Sequence, residues 1–159
     1  MSKPTKEITL SKMRWMLWLL GTFKIPMVAF CKPKLIELNA NRVEVKIKLR
    51  RRTKNHLKSM YFGALAVGAD VAGGIHAFYF AEKSGKKVSF AFKSMKAEFL
   101  MRAESDITFI GDQGNLVEKA FEKSDETGER VNQLVIVNAF DENKNTVATF
   151  ELEVSVKVK

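Results

Sequence analysis

The stretch Ser59–Lys83, SMYFGALAVGADVAGGIHAFYFAEK, constrains the fold of this chain more than any other. It reads as one helix of more than six turns, about 36 Å long at a rise of about 1.5 Å per residue. Apolar residues occupy nearly its whole circumference, which places it inside a structure rather than on a surface. Its first two-thirds are made of small residues: Gly63, Ala64, Ala66, Gly68, Ala69, Ala72, Gly73 and Gly74. Each glycine in a free helix costs about 1 kcal/mol relative to alanine. Close approach of a sheet or of a second backbone offsets such a cost, and a contact between two copies of the helix is the expectation. One carboxylate, Asp70, lies in the middle of the stretch. Buried without a partner, it costs several kcal/mol or takes up a proton.

The chain has 159 residues, long enough for a single domain with a real core. A hydrophobic fraction of 46% with twelve phenylalanines excludes disorder. One cysteine, Cys31, excludes an internal disulfide framework, and two histidines leave no zinc cluster. A reducing compartment, the cytoplasm, is the expected location. The net charge of +9 is unevenly placed: residues 1–60 carry 15 basic and 3 acidic side chains, the remainder 12 and 15. That asymmetry suits an anionic partner, whether nucleic acid, a membrane surface or a phosphorylated small molecule, and equally a solvated basic face.

Residues 1–8 read as a polar leader. Thr9 or Ser11 caps a helix running to about Leu20, with Gly21 as its stop. The run Trp15–Leu20 is strongly apolar, and Met27–Phe30 adds to it. Lys12, Arg14 and Lys24 interrupt this region and Pro26 breaks it, so a docked N-terminal helix is expected rather than a signal peptide or membrane span. Peripheral contact with a membrane stays open. Residues 1–33 are thus leader and docked helix, and 34–159 the main domain.

Lys34–Leu38 is a short strand. In Arg42–Arg50 the residues Val43, Val45, Ile47 and Leu49 share one face, opposite Arg42, Glu44, Lys46, Lys48 and Arg50, the pattern of a half-buried strand with a basic outer face. After the long helix come strands over Val88–Leu100 and Asp106–Ile110. Asp112–Glu126 is a short amphipathic helix on Leu116, Val117, Ala120 and Phe121. Strands over Val131–Phe140 and Val147–Val158 complete the chain. A single apolar helix among amphipathic antiparallel strands is best buried by a sheet curling around it, an α+β arrangement.

This order resembles the hotdog fold, and within it the phenylacetyl-CoA-type acyl-CoA thioesterases. The segments Gly63-Ala64-Leu65 and Ala69-Asp70-Val71-Ala72-Gly73-Gly74 are similar to that family's small-residue helix with its acidic residue. Asn55, six residues before Tyr61, matches the asparagine that precedes the family's His-Gly-Gly turn. Phe99-Leu100-Met101-Arg102-Ala103 followed by Asp106 resembles its Phe-Leu-x-Pro-Ala…Gly-Asp signature. The likeness covers about residues 34–158. The His-Gly-Gly turn reads Tyr61-Phe62-Gly63 here, Arg102 stands for the proline, and Ser94 falls near the family's strand hydroxyl. The resemblance implies an acyl thioester of coenzyme A as substrate or ligand, no other cofactor, and composite sites at the interface of a homodimer or tetramer. The residues it implies for chemistry are Asp70, Asn55 and Gly63. Tyr61, Phe62 and Ser94 would contact substrate, with Arg52, Lys54 and Lys58 placed for its phosphates.

The residues support part of this independently. Thioester hydrolysis needs an oxyanion stabiliser and a base or carboxylate nucleophile. Gly63 lies near the helix N-terminus, where unpaired N–H groups favour negative charge. Asp70 is seven residues on, the same face but about 10 Å along the axis. The two serve one carbonyl only if a second, antiparallel copy supplies one of them. The structural alternatives are simple: a hydrogen-bonded buried acid for Asp70, packing for Gly63, a turn residue for Asn55, a core tyrosine for Tyr61 and a satisfied helix histidine for His76. No nucleic-acid module accompanies the basic segment, so no specific nucleic acid is expected.

Overall fold

The computed structural model describes residues 6–159, so most of the expected polar leader lies outside the described residues. The Thr9 side chain accepts a hydrogen bond from the Lys12 N–H and starts helix α1, Leu10–Leu19. Gly21 does not stop it. The chain continues through a π-helical turn, Leu20–Lys24, and Gly21 is buried with Ala29 against it, so that a Cβ there would lie 3.1–3.3 Å from Ala29, tighter than ordinary contact. Pro26 likewise opens a helix rather than only ending one. It occupies the first turn of α2, Pro26–Cys31, where its missing N–H costs nothing. Met13 and Leu17 of α1 and Val28 and Cys31 of α2 join the core.

The sheet is built from β1 (Lys34–Leu38), β2 (Val43–Ile47), β3 (Val88–Phe99), β4 (Ile107–Gly111), β5 (Val131–Phe140) and β6 (Thr146–Val158). Their order is β1-β2-β4-β5-β6-β3, and every neighbouring pair is antiparallel. The period-two patterns are realised on one face: Val43, Val45 and Ile47, Ile107 and Phe109, and Phe150, Leu152, Val154 and Val156 are all buried.

Against that face lies helix α3, Phe62–Ser84, which starts three residues later than its composition suggests. Ser59–Tyr61 is extended instead, because Met60 N–H donates to Ala103 C=O (2.7 Å) and Tyr61 N–H to Thr53 C=O (2.8 Å). The expected glycine contact with a second copy is corrected: the sheet of the same chain fills the space. A Cβ on Gly68 would enter the Phe109 ring, one on Gly73 would meet Leu152 Cδ1, and one on Gly74 would lie 3.0 Å from Phe90. α3 has the length and composition to cross a membrane, but 72% of its apolar window is buried inside the domain, where it is the core helix. The amphipathic helix α4, Gly114–Thr127, closes one end, with Phe121 6.5 Å from the Phe80 ring.

Candidate active site on the core helix

Asp70 sits in the third turn of α3, half-buried. Burial is the one cause that moves its pKa, raising it to about 6, and no cation or hydrogen-bond donor among the described residues offsets it. The structural alternative for this residue, a hydrogen-bonded buried acid, is therefore not what the chain provides. The helix surface around Asp70 is its least covered stripe: Gly63, Ala66, Val67, Asp70 and Phe78 are half-buried, while the opposite face is sealed by the sheet. His76 differs. It is 3% exposed, its Nε2 lies 3.0 Å from Asn39 C=O, and burial lowers its pKa. It is a satisfied core histidine.

At the start of α3, the Tyr61 carbonyl accepts from the Ala64 and Leu65 N–H groups (2.9 and 3.1 Å). Phe62 and Gly63, the first two helical residues, keep N–H groups with no acceptor inside the helix. The Tyr61 ring lies over Gly63, so closely that a Cβ there would overlap it. Tyr61 and Phe62 are both exposed, their ring centres 4.7 Å apart, and Phe62 meets the Phe99 ring edge-on at 6.3 Å. Tyr61, Phe62 and Phe99 thus make an apolar rim at the helix N-terminus, and Leu57, Leu100 and Met101, close to them in sequence, are exposed as well.

Asn55 organises the loop that leads into this rim. Its Oδ1 accepts from Leu57 N–H (2.9 Å), Ser59 N–H (3.2 Å) and Ser59 Oγ (3.2 Å). Its side-chain amide donates no bond within the described residues, so donor capacity remains while the acceptor is used. Ser94 is not brought to the site. It pairs with Glu153, Oγ to Oε2 3.5 Å, on the sheet face turned away from α3. A bulge between Phe92 and Ser94 shifts the alternation there, so that Phe90, Phe92 and Met95 all lie opposite inward residues of β6.

Lys54 and Lys58 are exposed on the loop, and Lys58 takes a left-handed conformation (φ 62°). Arg52 is held: its guanidinium lies 5.1 Å from the Phe30 ring centre and donates to Phe30 C=O at 3.3 Å. It lines a 160 Å³ cleft together with Lys32, Lys34, Lys46, Lys48 and Arg50, in which no carboxylate takes part. Beside it, between α1, α2 and β1, lies a larger apolar pocket of about 420 Å³, with Leu17, Trp18, Val28 and Leu35 in its wall and Arg14, Lys32 and Lys34 around them. That pocket is a feature sequence reasoning missed. The paired apolar runs at Trp15–Leu20 and Met27–Phe30 were its signal, once α2 is recognised as a helix.

An antiparallel sheet wrapped around one apolar helix is the hotdog fold, and comparison with solved structures identifies the same architecture. A Pseudomonas aeruginosa protein of unknown function, described as a probable thioesterase, superposes with a TM-score of 0.75 at 18% identity, over 98% of this chain and 99% of that one. A thioesterase from Haemophilus influenzae gives 0.65 at 14% identity, over 96% and 92%. A mutant thioesterase of Pseudomonas aeruginosa gives 0.70 at 10% identity, over 97% of each chain. At such identities the likeness establishes the fold. No curated protein sequence matches the chain. One family model does, described as a domain of unknown function, DUF4442, and it aligns with residues 13–156. Running from within α1 to within β6, that match shows that the chain belongs to the DUF4442 family.

Proposed function

We propose that this protein is an acyl-CoA thioesterase acting as a homodimer, or a tetramer of two such dimers, in the cytoplasm. The observation that carries this reading is an ionisable carboxylate without a partner, Asp70, on the half-buried stripe of a hotdog core helix whose N-terminus offers free N–H groups. A stripe of this kind needs a cover. So does β3, a sheet edge twelve residues long with most of its residues exposed. Pairing of β3 with its copy about a two-fold axis would extend the sheet and lay two α3 helices antiparallel. Gly63 of one subunit then approaches Asp70 of the other.

In that arrangement the Gly63 N–H, reinforced by the helix dipole, polarises the thioester carbonyl. Asp70 takes the proton from the water that attacks it, and the thiolate of coenzyme A leaves. The free amide of Asn55 orients the reactants, while Tyr61 and Phe62 flank the acyl group. Arg52, Lys54 and Lys58 receive the phosphates of coenzyme A. The substrate is the sole cofactor-like molecule required.

The second reading is a hotdog protein that binds acyl-CoA or lipid without turning it over. It is favoured by one observation, the Tyr61 ring covering Gly63 at the place of the histidine turn in the phenylacetyl-CoA-type thioesterases that the sequence resembles. Hydrolysis of acyl-CoAs of graded chain length separates the two. The thioesterase reading expects saturable release of free thiol, lowered about 100-fold or more by Asp70→Asn. Saturable binding with no thiol release assigns the protein to the second reading.

A further inference from the structure

The N-terminal helices carry a surface that hydrolysis does not use. Trp15 and Trp18 are 57% and 53% exposed and stack with ring centres 5.1 Å apart. Phe23, 70% exposed, meets Trp18 edge-on at 6.2 Å, and Met27 is 62% exposed on the helix that follows. Patches of contiguous large apolar side chains on a single chain mark a contact surface. This one has a distinctive electrostatic setting. No acidic residue occurs between Glu7 and Glu37, whereas Lys12, Arg14, Lys24, Lys32 and Lys34 all do. Lys12 is engaged by Glu82, but Lys24, Lys32 and Lys34 form no ion pair with any described residue. Lys32 and Lys34 also line the neighbouring cationic cleft, in which, among the described residues, only Lys46 is ion-paired, with Asp106 at 3.7 Å.

We infer that this face docks on an anionic lipid bilayer, independently of the catalytic reading. Tryptophan and phenylalanine beside unpaired lysines is the composition that settles at the boundary between head groups and acyl chains. Charge complementarity selects the occupant. A second copy of this chain would oppose cations to cations at this face, while anionic head groups neutralise them. The apolar side chains enter the interface, and the lysines around them remain at head-group level.

The test uses the full chain and its own reporters, because Trp15 and Trp18 are its only two tryptophans. Vesicles of phosphatidylcholine alone are compared with vesicles containing phosphatidylglycerol, with and without brominated acyl chains. The expected result is a blue shift of tryptophan emission and bromine quenching with the anionic vesicles, and little change with the neutral ones. Phe23→Ser, at an exposed site outside the core, is expected to weaken vesicle association about tenfold. Lys24→Gln and Lys32→Gln are each expected to weaken it about fivefold. Circular dichroism confirms that the variants remain folded. Association without a change in tryptophan emission would overturn the inference, because the basic surface alone would then account for it. So would a blue shift that grows with protein concentration in the absence of lipid, which would assign the face to a second copy.

Discussion

Asp70 pays for its position in proton affinity, and this has a measurable consequence at the residue scale. Its pKa moves from 3.8 to about 6 because burial disfavours the carboxylate. The folded state therefore binds the proton more tightly than the unfolded chain. The contribution of Asp70 to stability is greatest below pH 4, falls as the pH rises through the interval to about 6, and is level above it. The difference amounts to roughly 3 kcal/mol at most. Asp70→Asn removes the charge and keeps the shape, so we expect the variant to unfold several degrees higher than the wild type at pH 7.5 and at nearly the same temperature at pH 4. Thermal unfolding at the two pH values measures this; equal shifts at both would mean that the carboxylate is not desolvated. If Asp70 is also the base, hydrolysis by the wild type rises as the pH passes about 6, the opposite trend from stability. A carboxylate within an apolar helical run was plain from sequence. Its lack of any partner was not, because pairing depends on which side chains the fold brings near it. A turn role for Asn55 was among the alternatives open in the sequence, but the bonds that close the loop through its Oδ1 and the Tyr61 ring folded back over Gly63 leave no periodic trace.

At the scale of elements, the core helix and all six strands were legible because their patterns report burial directly. The boundaries moved where a long-range hydrogen bond overrode local preference, as at Met60 and Tyr61. The reason for the helical glycines was not legible, since a sheet and a second helix ask for the same small residues. The structure distinguishes them, and the prediction follows from how rigid each neighbour is. A Cβ at Gly68 would collide with three atoms of the Phe109 ring, a side chain with no exposure and no alternative direction. A Cβ at Gly73 would collide with one methyl of Leu152, which can rotate away at lower cost. Alanine gains about 1 kcal/mol in helix propensity at either position. Overpacking by a single methyl costs about 1–3 kcal/mol in a close-packed core. We expect Gly68→Ala to be net destabilising by about 1–2 kcal/mol in urea unfolding, and Gly73→Ala to be close to neutral. The reverse ranking would show that the Phe109 ring is mobile. The second helix, α2, was missed because its proline reads as a breaker when the chain is scanned for interruptions. Its position in the first turn makes it an initiator instead.

The whole molecule raises the question of completeness. One chain separates Gly63 from Asp70 by seven residues of one uninterrupted helix, about 10 Å of rise. Either the two never act on one carbonyl, or an antiparallel neighbour joins them. The unpaired length of β3 and the half-buried stripe of α3 lie on the same side of the fold, since Phe78 of the stripe packs on Phe90 of that strand with ring centres 5.7 Å apart. One association would therefore cover both. Subunit mixing decides the matter without a structure of the complex. Asp70→Asn disables each site through one subunit, and Gly63→Val disables it through the other by crowding the N–H. In a mixed dimer the two lesions fall together on one site and leave the second with an intact Asp70 and an intact Gly63. Random reassortment makes half of the dimers mixed, each with one working site of two, so activity should return to about a quarter of wild type. Mixing that restores nothing, with exchange verified by mass spectrometry, would place both residues in sites formed by a single chain. The composite site would then be wrong even if the chain hydrolyses thioesters.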